Sequence, residues 1–282
     1  MGYPKIASKV LPFIRNKYQI VQCTKCDFYY VHPSIDFSDD EWKQIYDDGY
    51  FTKMTDWHYK ERIRNLSNRL SRLNKAKNSD SHNFLDLGSG EGLALVEGFS
   101  RGWNINGIDI NDLRNKSTKN SSTKFITGKF LEVDYPDDFF DMIYMDSVLE
   151  HVTQPLNYIL KIKKILKPGG VVYIGVPNED SLFNKVKFLV NMFTKKKSMS
   201  SKMNAFSSPY HINGFNKKSI EFFIRGAGFE AVEFRNFACR IEFLKYKFLS
   251  RDFIISLLLW PIYLLAIILR QEVYYEVILR KK

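Results

Sequence analysis

Cysteine is scarce in this sequence, with three in 282 residues. Cys23, Cys26 and Cys239 are too few and too unevenly spaced for a disulfide framework, which indicates a reducing compartment. The first ten residues, MGYPKIASKV, also lack the apolar core and the small-residue cleavage site of a secretory signal. We therefore expect a cytoplasmic protein.

The chain also lacks an excess of acidic residues. Lysine and arginine number 42 against 31 aspartate and glutamate, which gives a formal charge of +11. A basic protein attracts anionic partners, and nucleic acid, an acidic membrane surface and a phosphorylated substrate all qualify. The hydrophobic fraction of 45% is too high for a disordered chain and is ample for a sizeable core.

One long apolar run stands out near the C-terminus, from Phe253 to Leu269, at the lower limit of length for crossing a bilayer. A strand is predicted on each side of it, and the family resemblance described below implies that both strands belong to one sheet, so both ends of the run must lie on one side of a membrane. The sequence therefore favours a helical hairpin broken at Pro261, or a helix in the membrane interface, over a span. Basic residues such as Lys247 and Arg251 favour peripheral contact with anionic lipid at the inner face of the membrane. A homodimer interface or a buried helix pair is the alternative.

Strand and helix signals alternate from Asn83 onward. Strands are predicted in NFLDL, NINGIDI, TKFITG, DMIYM, VVYIGV, FEAVEFRN and EVYYEVILRKK, and helices at 92–101, 154–166 and 217–225. This alternation predicts an α/β fold with a mostly parallel sheet and helices on both faces. Upstream, two short strands and two helices form an N-terminal hairpin and helical cap over residues 1–80. The predicted core covers 81–236 and 271–282, with an apolar insertion at 237–270.

A glycine-rich turn follows the first strand of this core. Gly88, Gly90 and Gly92 occupy alternate positions, which lets the backbone turn tightly and approach a ligand before a helix begins. A dinucleotide fingerprint would need its third glycine at position 93, which is Leu93. The spacing therefore disfavours NAD.

Four motifs occur in order within residues 83–178: FLDLGSGEG, GIDIN, FFDMIYMDSVLEHV and ILKPGGVVYIGVPN. The series resembles the class I S-adenosylmethionine-dependent methyltransferases. The resemblance implies a Rossmann-like fold, with a mostly parallel seven-stranded sheet and an antiparallel final strand. It also implies S-adenosylmethionine as the cofactor.

The resemblance assigns cofactor contacts residue by residue. The first motif would hold the methionine moiety, the second the ribose and adenine, and the third the methyl group. In that order the residues are Asp86, Gly88, Ser89, Gly90 and Gly92, then Asp109 and Ile110, then Asp146 and Ser147. Many relatives have an acidic residue near the adenine amino group, but this chain has Lys129 there, so backbone groups and apolar side chains such as Phe130 are expected to hold the adenine.

The N-terminal segment, with QCTKCDFYYVHP and then YDDGYF, is similar to methyltransferases of polysaccharide and cell-envelope gene clusters. Many of those have a zinc ribbon with two CxxC pairs, whereas this chain has one. Structural zinc needs four ligands, so a metal-free hairpin is favoured, with His32 and Cys239 as the remaining ligand candidates. Aromatic residues after the hairpin are either helix packing or a lid over the cofactor and substrate; they are Tyr46, Tyr50 and Phe51.

Histidines provide the candidates for catalysis. The stretch PYHINGF resembles the same subgroup and makes His211 the leading candidate for a base, with Tyr210 beside it as a substrate or lid residue. His151 in LEHV is the alternative. Ubiquinone-pathway O-methyltransferases carry an acidic residue three positions before Glu150, where this chain has Ser147, so the sequence predicts no metal at Asp146, Glu150 and His151.

Three functions remain open at this point. The favoured one is methylation of a small or lipid-linked acceptor, such as a sugar, polyprenyl or quinone-type molecule. The second is nucleic-acid methylation, but amino-methylating enzymes of that type often have an Asn/Asp-Pro-Pro-aromatic motif where this chain has Asp146-Ser147-Val148-Leu149. The third is a noncatalytic cofactor-binding protein, which the intact glycine loop and Asp109 disfavour.

Overall fold

The computed structural model describes residues 3–4, 6–47, 49, 56–119, 123–193, 203, 206, 210–238 and 246–282. Its strands are β1 Gln19–Gln22, β2 Tyr29–His32, β3 Asn83–Leu87, β4 Asn104–Asp109, β5 Lys124–Thr127, β6 Phe140–Asp146, β7 Leu166–Pro177, β8 Asn213–Gly214, β9 Phe229–Phe237 and β10 Tyr274–Lys281. Its helices are α1 Asp39–Ile45, α2 Asp56–Ala76, α3 Leu93–Ser100, α4 Lys116–Lys119, α5 Pro155–Ile165, α6 Leu182–Phe193, α7 Lys217–Ala227 and α8 Arg251–Ile268.

Seven strands form the main sheet, in the order β5-β4-β3-β6-β7-β10-β9. Strands β3 to β7 pair in parallel, and β10 lies antiparallel between β7 and β9. The predicted Rossmann-like fold with an antiparallel final strand is confirmed. The central strand β6 is buried along nearly its whole length, as its mostly apolar sequence FDMIYMD favours for a strand covered on both faces.

Side chains that alternate along the strands build a core on each face of the sheet. Leu85 and Ile143 pack with α5 and α7 on one face. Phe84 and Met142 pack with α2 and α3 on the other. Because β3, β4 and β6 are parallel, their carboxyl ends meet at one edge of the sheet, where open α/β sheets bind ligands.

A second sheet of three strands joins the N-terminal hairpin to a distant part of the chain. Strands β1 and β2 form the predicted hairpin, and β8 adds a third strand, with Tyr29 opposite Gly214 and Tyr30 opposite Asn213. Beneath it lies a separate apolar cluster that includes Ile20 and Ile212. The hairpin was predictable from its alternating pattern, whereas a two-residue strand is too short to give a pattern.

Two local features depart from what the sequence indicates. Of the two alternatives for the apolar run, the hairpin broken at Pro261 is wrong, because helix α8 continues through Pro261; a proline removes one hydrogen bond of the helix, and the turns on both sides retain theirs. The sequence KPGG at 167–170 is typical of a turn, yet β7 begins at Leu166 and pairs with Phe140 across an irregularity in register. Gly169, with φ of 75°, absorbs that irregularity.

Candidate active site

The glycine loop lies between the end of β4 and the segment that follows β6. The main-chain N–H of Gly88 donates a 2.8 Å hydrogen bond to the carbonyl of Ile108. Gly88, Gly90 and Gly92 all have positive φ, between 50° and 79°. A Cβ on Gly88 would lie 2.4 Å from Cγ2 of Val148, so a side chain there would push the loop and that segment apart.

Asp86 is buried beside this loop with one carboxylate oxygen unpaired. The residue is 3% exposed, and within the described residues its Oδ2 has no hydrogen-bond partner. Burial raises the pKa of Asp86 to about 8, and the carboxylates of Asp109 and Asp146 add to that rise. Such a group is suited to a ligand that brings a positive charge or a hydrogen-bond donor.

Asp109 ends β4, where the sequence placed it. Its Oδ2 accepts a 2.8 Å hydrogen bond from the N–H of Gly90, and its Oδ1 accepts one of 3.4 Å from the N–H of Asn111. Burial raises the pKa of Asp109, against the lowering effect of these backbone donors. Asn111 also donates from Nδ2 to the carbonyl of Tyr46, which ties the N-terminal cap to this loop.

The two residues proposed to hold adenine differ in exposure. Ile110 is half-buried against the apolar cluster of the cap. Phe130 is 2% exposed within the main core, with its ring 5.2 Å from that of Tyr158. Lys129 pairs with Asp39 at the start of α1. The adenine contacts stay predictions.

Asp146 lies at the end of β6 and has a larger set of partners than the motif indicated. Its Oδ1 accepts a 2.7 Å hydrogen bond from the hydroxyl of Tyr274, and its Oδ2 accepts from Tyr144 at 3.0 Å and Arg69 at 2.9 Å. Arg69 also donates to Glu276 at 2.7 Å. The sequence analysis missed this network, whose one signal was an arginine among the apolar positions of α2.

Ser147 follows with a φ of 58°, a conformation that non-glycine residues rarely adopt. Its hydroxyl lies 2.7 Å from that of Tyr274. Backbone strain of this kind is found mostly at functional sites, where the surrounding structure holds it in place.

Glu150, His151 and His211 meet directly behind this segment. Oε1 of Glu150 lies 3.9 Å from Nε2 of His151 and 4.0 Å from Nε2 of His211. Glu150 is 1% exposed, and neither of its carboxylate oxygens has a hydrogen-bond partner in the described part of the chain. The hydroxyl of Tyr46 lies 3.0 Å from Nδ1 of His151.

Burial sets the protonation of this cluster. It lowers the pKa of His211 to about 4 and that of His151 well below its usual value, so both imidazoles are uncharged near neutral pH. It raises the pKa of Glu150 well above that of an exposed carboxyl. Both histidines were candidates from the sequence, but nothing in the sequence indicated that they meet across Glu150.

The remaining candidates lie around the cap. Tyr210 is buried, and its ring centroid is 6.3 Å from that of Tyr46. Tyr50, Phe51 and Cys239 lie outside the described residues.

The CxxC pair lies at the turn of the N-terminal hairpin. Cys23 and Cys26 are free thiols, and the N–H of Cys26 lowers the pKa of Cys23. In the described ranges no third histidine, cysteine or acidic residue joins them in a metal-ligand group, and His32 is exposed.

Comparisons with known proteins agree with this fold. A family model described as a methyltransferase domain matches residues 55–233. A solved structure of a SAM-dependent methyltransferase from Archaeoglobus fulgidus superposes with a TM-score of 0.54 at 19% identity, over 80% of this chain and 99% of that one. The [4+2]-cyclase SpnF superposes with a TM-score of 0.51 at 15% identity, over 76% of this chain and 80% of that one. At these identities the superpositions show the fold alone.

A curated relative adds a likeness in sequence. An uncharacterised protein of Methanocaldococcus jannaschii is 32% identical over 117 residues, which are 41% of this chain and 52% of that protein. The match thus spans about half the length of the relative.

Proposed function

Because this chain belongs to the S-adenosylmethionine-dependent methyltransferase family, we propose that it methylates an oxygen atom of a small or lipid-linked acceptor. The enzyme's cofactor is S-adenosylmethionine. The observation that carries the acceptor proposal is the buried Glu150, His151 and His211 cluster next to the expected position of the methyl group.

The residues of the glycine loop fit this cofactor. The unpaired, buried Oδ2 of Asp86 suits the ammonium group of the methionine moiety, and the positive φ of Gly90 and Gly92 lets the loop turn tightly beside it. Asp109 would accept hydrogen bonds from the ribose hydroxyls. When bound, the cofactor supplies a methyl group that its sulfonium already activates.

The protein's own task is then to align the acceptor and exclude water. Buried ring nitrogens at His151 and His211 support binding and activation of an acceptor hydroxyl, which must lose its proton as the oxygen is methylated. The ring of Tyr46 packs edge-on against His151 from the cap side, and Tyr210 packs against Tyr46, which supports a lid role for the two tyrosines. We propose His211 and His151 as the catalytic residues.

A lipid-linked acceptor is supported by the apolar surface of α6 and α8. By length and composition helix α8 could cross a membrane, and 6% of the helix is buried inside the protein. Large apolar side chains point to solvent along it, with Leu258 72% and Ile268 76% exposed. Exposed patches of this kind mark interaction sites.

Charge favours an anionic membrane as the partner of this surface. Lys247 lies before α8, Arg251 is its first residue and Arg270 follows its end. Cations therefore flank the apolar helix on both sides. Phe237 pairs with Tyr274 in the main sheet, so the chain leaves and re-enters the sheet at one place. We therefore propose a helix lying in the membrane interface, which would place the enzyme on the cytoplasmic face.

Labelled S-adenosylmethionine tests the acceptor class. Purified enzyme is incubated in parallel with membrane lipid and with nucleic acid from the same cells, and the methyl label is followed in each fraction. We expect label in the lipid extract. The Asp109→Asn enzyme should transfer less label, because it binds S-adenosylmethionine more weakly. Label in nucleic acid alone would establish the second function instead, and binding without transfer to any fraction would favour a noncatalytic role.

A further inference from the structure

We infer that Glu150, His151 and His211 bind a divalent transition-metal ion at the acceptor side of the active site. The use of this ion in catalysis rests on the proposed function, whereas the binding site rests on the geometry of the three side chains. The sequence analysis predicted no metal because Ser147 replaces an acidic residue; the structure instead brings His211 to the pair from a distant part of the chain.

The carboxyl group of Glu150 is buried without a hydrogen-bond partner in the described ranges. Its side chain is 1% exposed, and neither oxygen has a hydrogen-bond partner among the described residues. Protonation would remove the charge but would leave the new O–H without an acceptor, because the nearest ring nitrogens are 3.9 and 4.0 Å away. Buried polar groups are nearly always paired, so this carboxyl needs a partner that the chain itself does not supply.

The three side chains are also spaced for one ion. Each offers one ligand atom, and these atoms lie within 4.8 Å of one another. Since Oε1 of Glu150 is 3.9 and 4.0 Å from the two ring nitrogens, a point equidistant from all three atoms is about 2.5 Å from each, close to the ~2.0–2.2 Å of zinc bound to histidine or carboxylate. Small side-chain rotations complete the approach.

The surrounding structure holds the ligands in place. Tyr46 can accept a hydrogen bond from Nδ1–H of His151, and in that tautomer Nε2, 3.9 Å from Oε1 of Glu150, carries a lone pair. The N–H of Ile212, next to His211, donates to the carbonyl of Glu150 at 2.8 Å. Nδ2 of Asn213 donates to the carbonyls of Leu149 and Val152 at 3.0 and 2.6 Å. The two ligand segments are therefore fixed to each other before any ion binds.

Two imidazoles and one carboxylate leave coordination positions open, as in catalytic rather than structural metal sites. With the ion bound, the two imidazoles would be its ligands and not bases, and an acceptor hydroxyl at an open position would lose its proton to water more easily. Its oxygen would then form the O–CH₃ bond as the S–CH₃ bond breaks and that electron pair returns to sulfur.

Metal binding is measured directly on the full-length protein after treatment with a chelator. Mn²⁺ is titrated and the free ion followed by electron paramagnetic resonance, with Zn²⁺ as competitor. We expect one Mn²⁺ per chain, displaced by Zn²⁺, and at least tenfold weaker binding in Glu150→Gln and in His211→Ala. His82→Ala is the matched control, because His82 packs against Trp103 away from the cluster, and it should bind as wild type does.

Two further variants guard the interpretation. A Cys23→Ser, Cys26→Ser protein should keep the Mn²⁺ site, which excludes the thiol pair as its source. Mn²⁺ should raise the thermal midpoint of the wild type but not of Glu150→Gln. If Glu150→Gln does not fold, His211→Ala supplies the comparison. Wild-type protein that binds neither ion, or cluster variants that bind like the wild type, would overturn the inference.

The test separates this inference from the proposed function. Metal bound at the cluster without methyl transfer to lipid would leave the site standing and remove the function. Full transfer to lipid by the chelator-treated enzyme, with no ion bound, would leave the proposed function standing and overturn the metal site.

Discussion

The main-chain N–H of Gly90 donates a 2.8 Å hydrogen bond to Oδ2 of Asp109, which fixes the glycine loop to the end of the neighbouring strand. The same carboxylate is the group we assign to the ribose of the cofactor. Loop geometry and cofactor binding therefore depend on one side chain.

Replacing Asp109 with asparagine should weaken S-adenosylmethionine binding by about 1.5–3 kcal/mol, because hydrogen bonds to a charged group are lost. Calorimetry measures this. Asp112→Asn is the matched control, since Asp112 lies three positions further on and pairs with Arg114; it should retain wild-type affinity. Wild-type affinity for S-adenosylmethionine in Asp109→Asn would remove Asp109 from the site.

Asp86 should make the stability of the cofactor-free protein depend on pH. Its pKa is raised to about 8 in the folded state, so the folded protein holds a proton that the unfolded chain has released. Stability is therefore greatest below the unfolded pKa of about 4 and falls as pH rises toward 8, by at most about 1.4 kcal/mol per unit. Urea unfolding at pH 5 and pH 8 should show Asp86→Asn gaining stability relative to wild type at the higher pH. A constant difference would contradict the shift.

Arg69 should be essential to the fold. It is 13% exposed and pairs with Asp146 and Glu276, so Arg69→Met would remove a charged partner from each of two carboxylates. We expect a loss of about 3–5 kcal/mol in the free energy of unfolding. Arg64→Met on the same helix is the control, because Arg64 is 72% exposed and should change stability by less than about 0.5 kcal/mol. Similar losses in the two variants would refute the role of the network.

His211→Ala should lower methyl transfer about a hundredfold or more and leave cofactor affinity nearly unchanged. Calorimetry measures the affinity. Turnover is measured with labelled cofactor and the acceptor that the labelling experiment identifies. His82→Ala should retain full activity. An active His211→Ala protein would exclude this residue from catalysis.

The apolar helix should hold the protein on anionic vesicles. Leu258→Glu combined with Ile268→Glu should strongly reduce co-sedimentation of the protein with vesicles, because moving a charged side chain into the acyl region of the bilayer is energetically unfavourable. Leu156→Glu, a change at an exposed position on α5, should have no effect. High salt should release the wild type only in part, since it screens the cations but not apolar burial. Loss of a dimer in the α8 variant, with no vesicle binding in the wild type, would identify an oligomer interface instead.

The main sheet was predictable because strand and helix signals alternate along the chain and its central strands end at recognisable motifs. Asp86 and Asp109 could be placed for the same reason. What the sequence did not reveal are relationships across long separations: Arg69 with Asp146, and Glu150 with His211. Each pair joins two elements that lack any shared local pattern, so only the folded topology brings them together.

The third strand of the small sheet is synthesised long after the first two. Tyr29 pairs with Gly214, so the hairpin lacks its third strand until synthesis has reached the last quarter of the chain. Until then the apolar face at Ile20 and Val31 stays uncovered, and contacts between such distant residues form slowly. A nascent chain should therefore be a client of chaperones at its N-terminus. It should gain the histidine pocket only after residue 214 has left the ribosome, so truncated products would bind no acceptor and consume no cofactor.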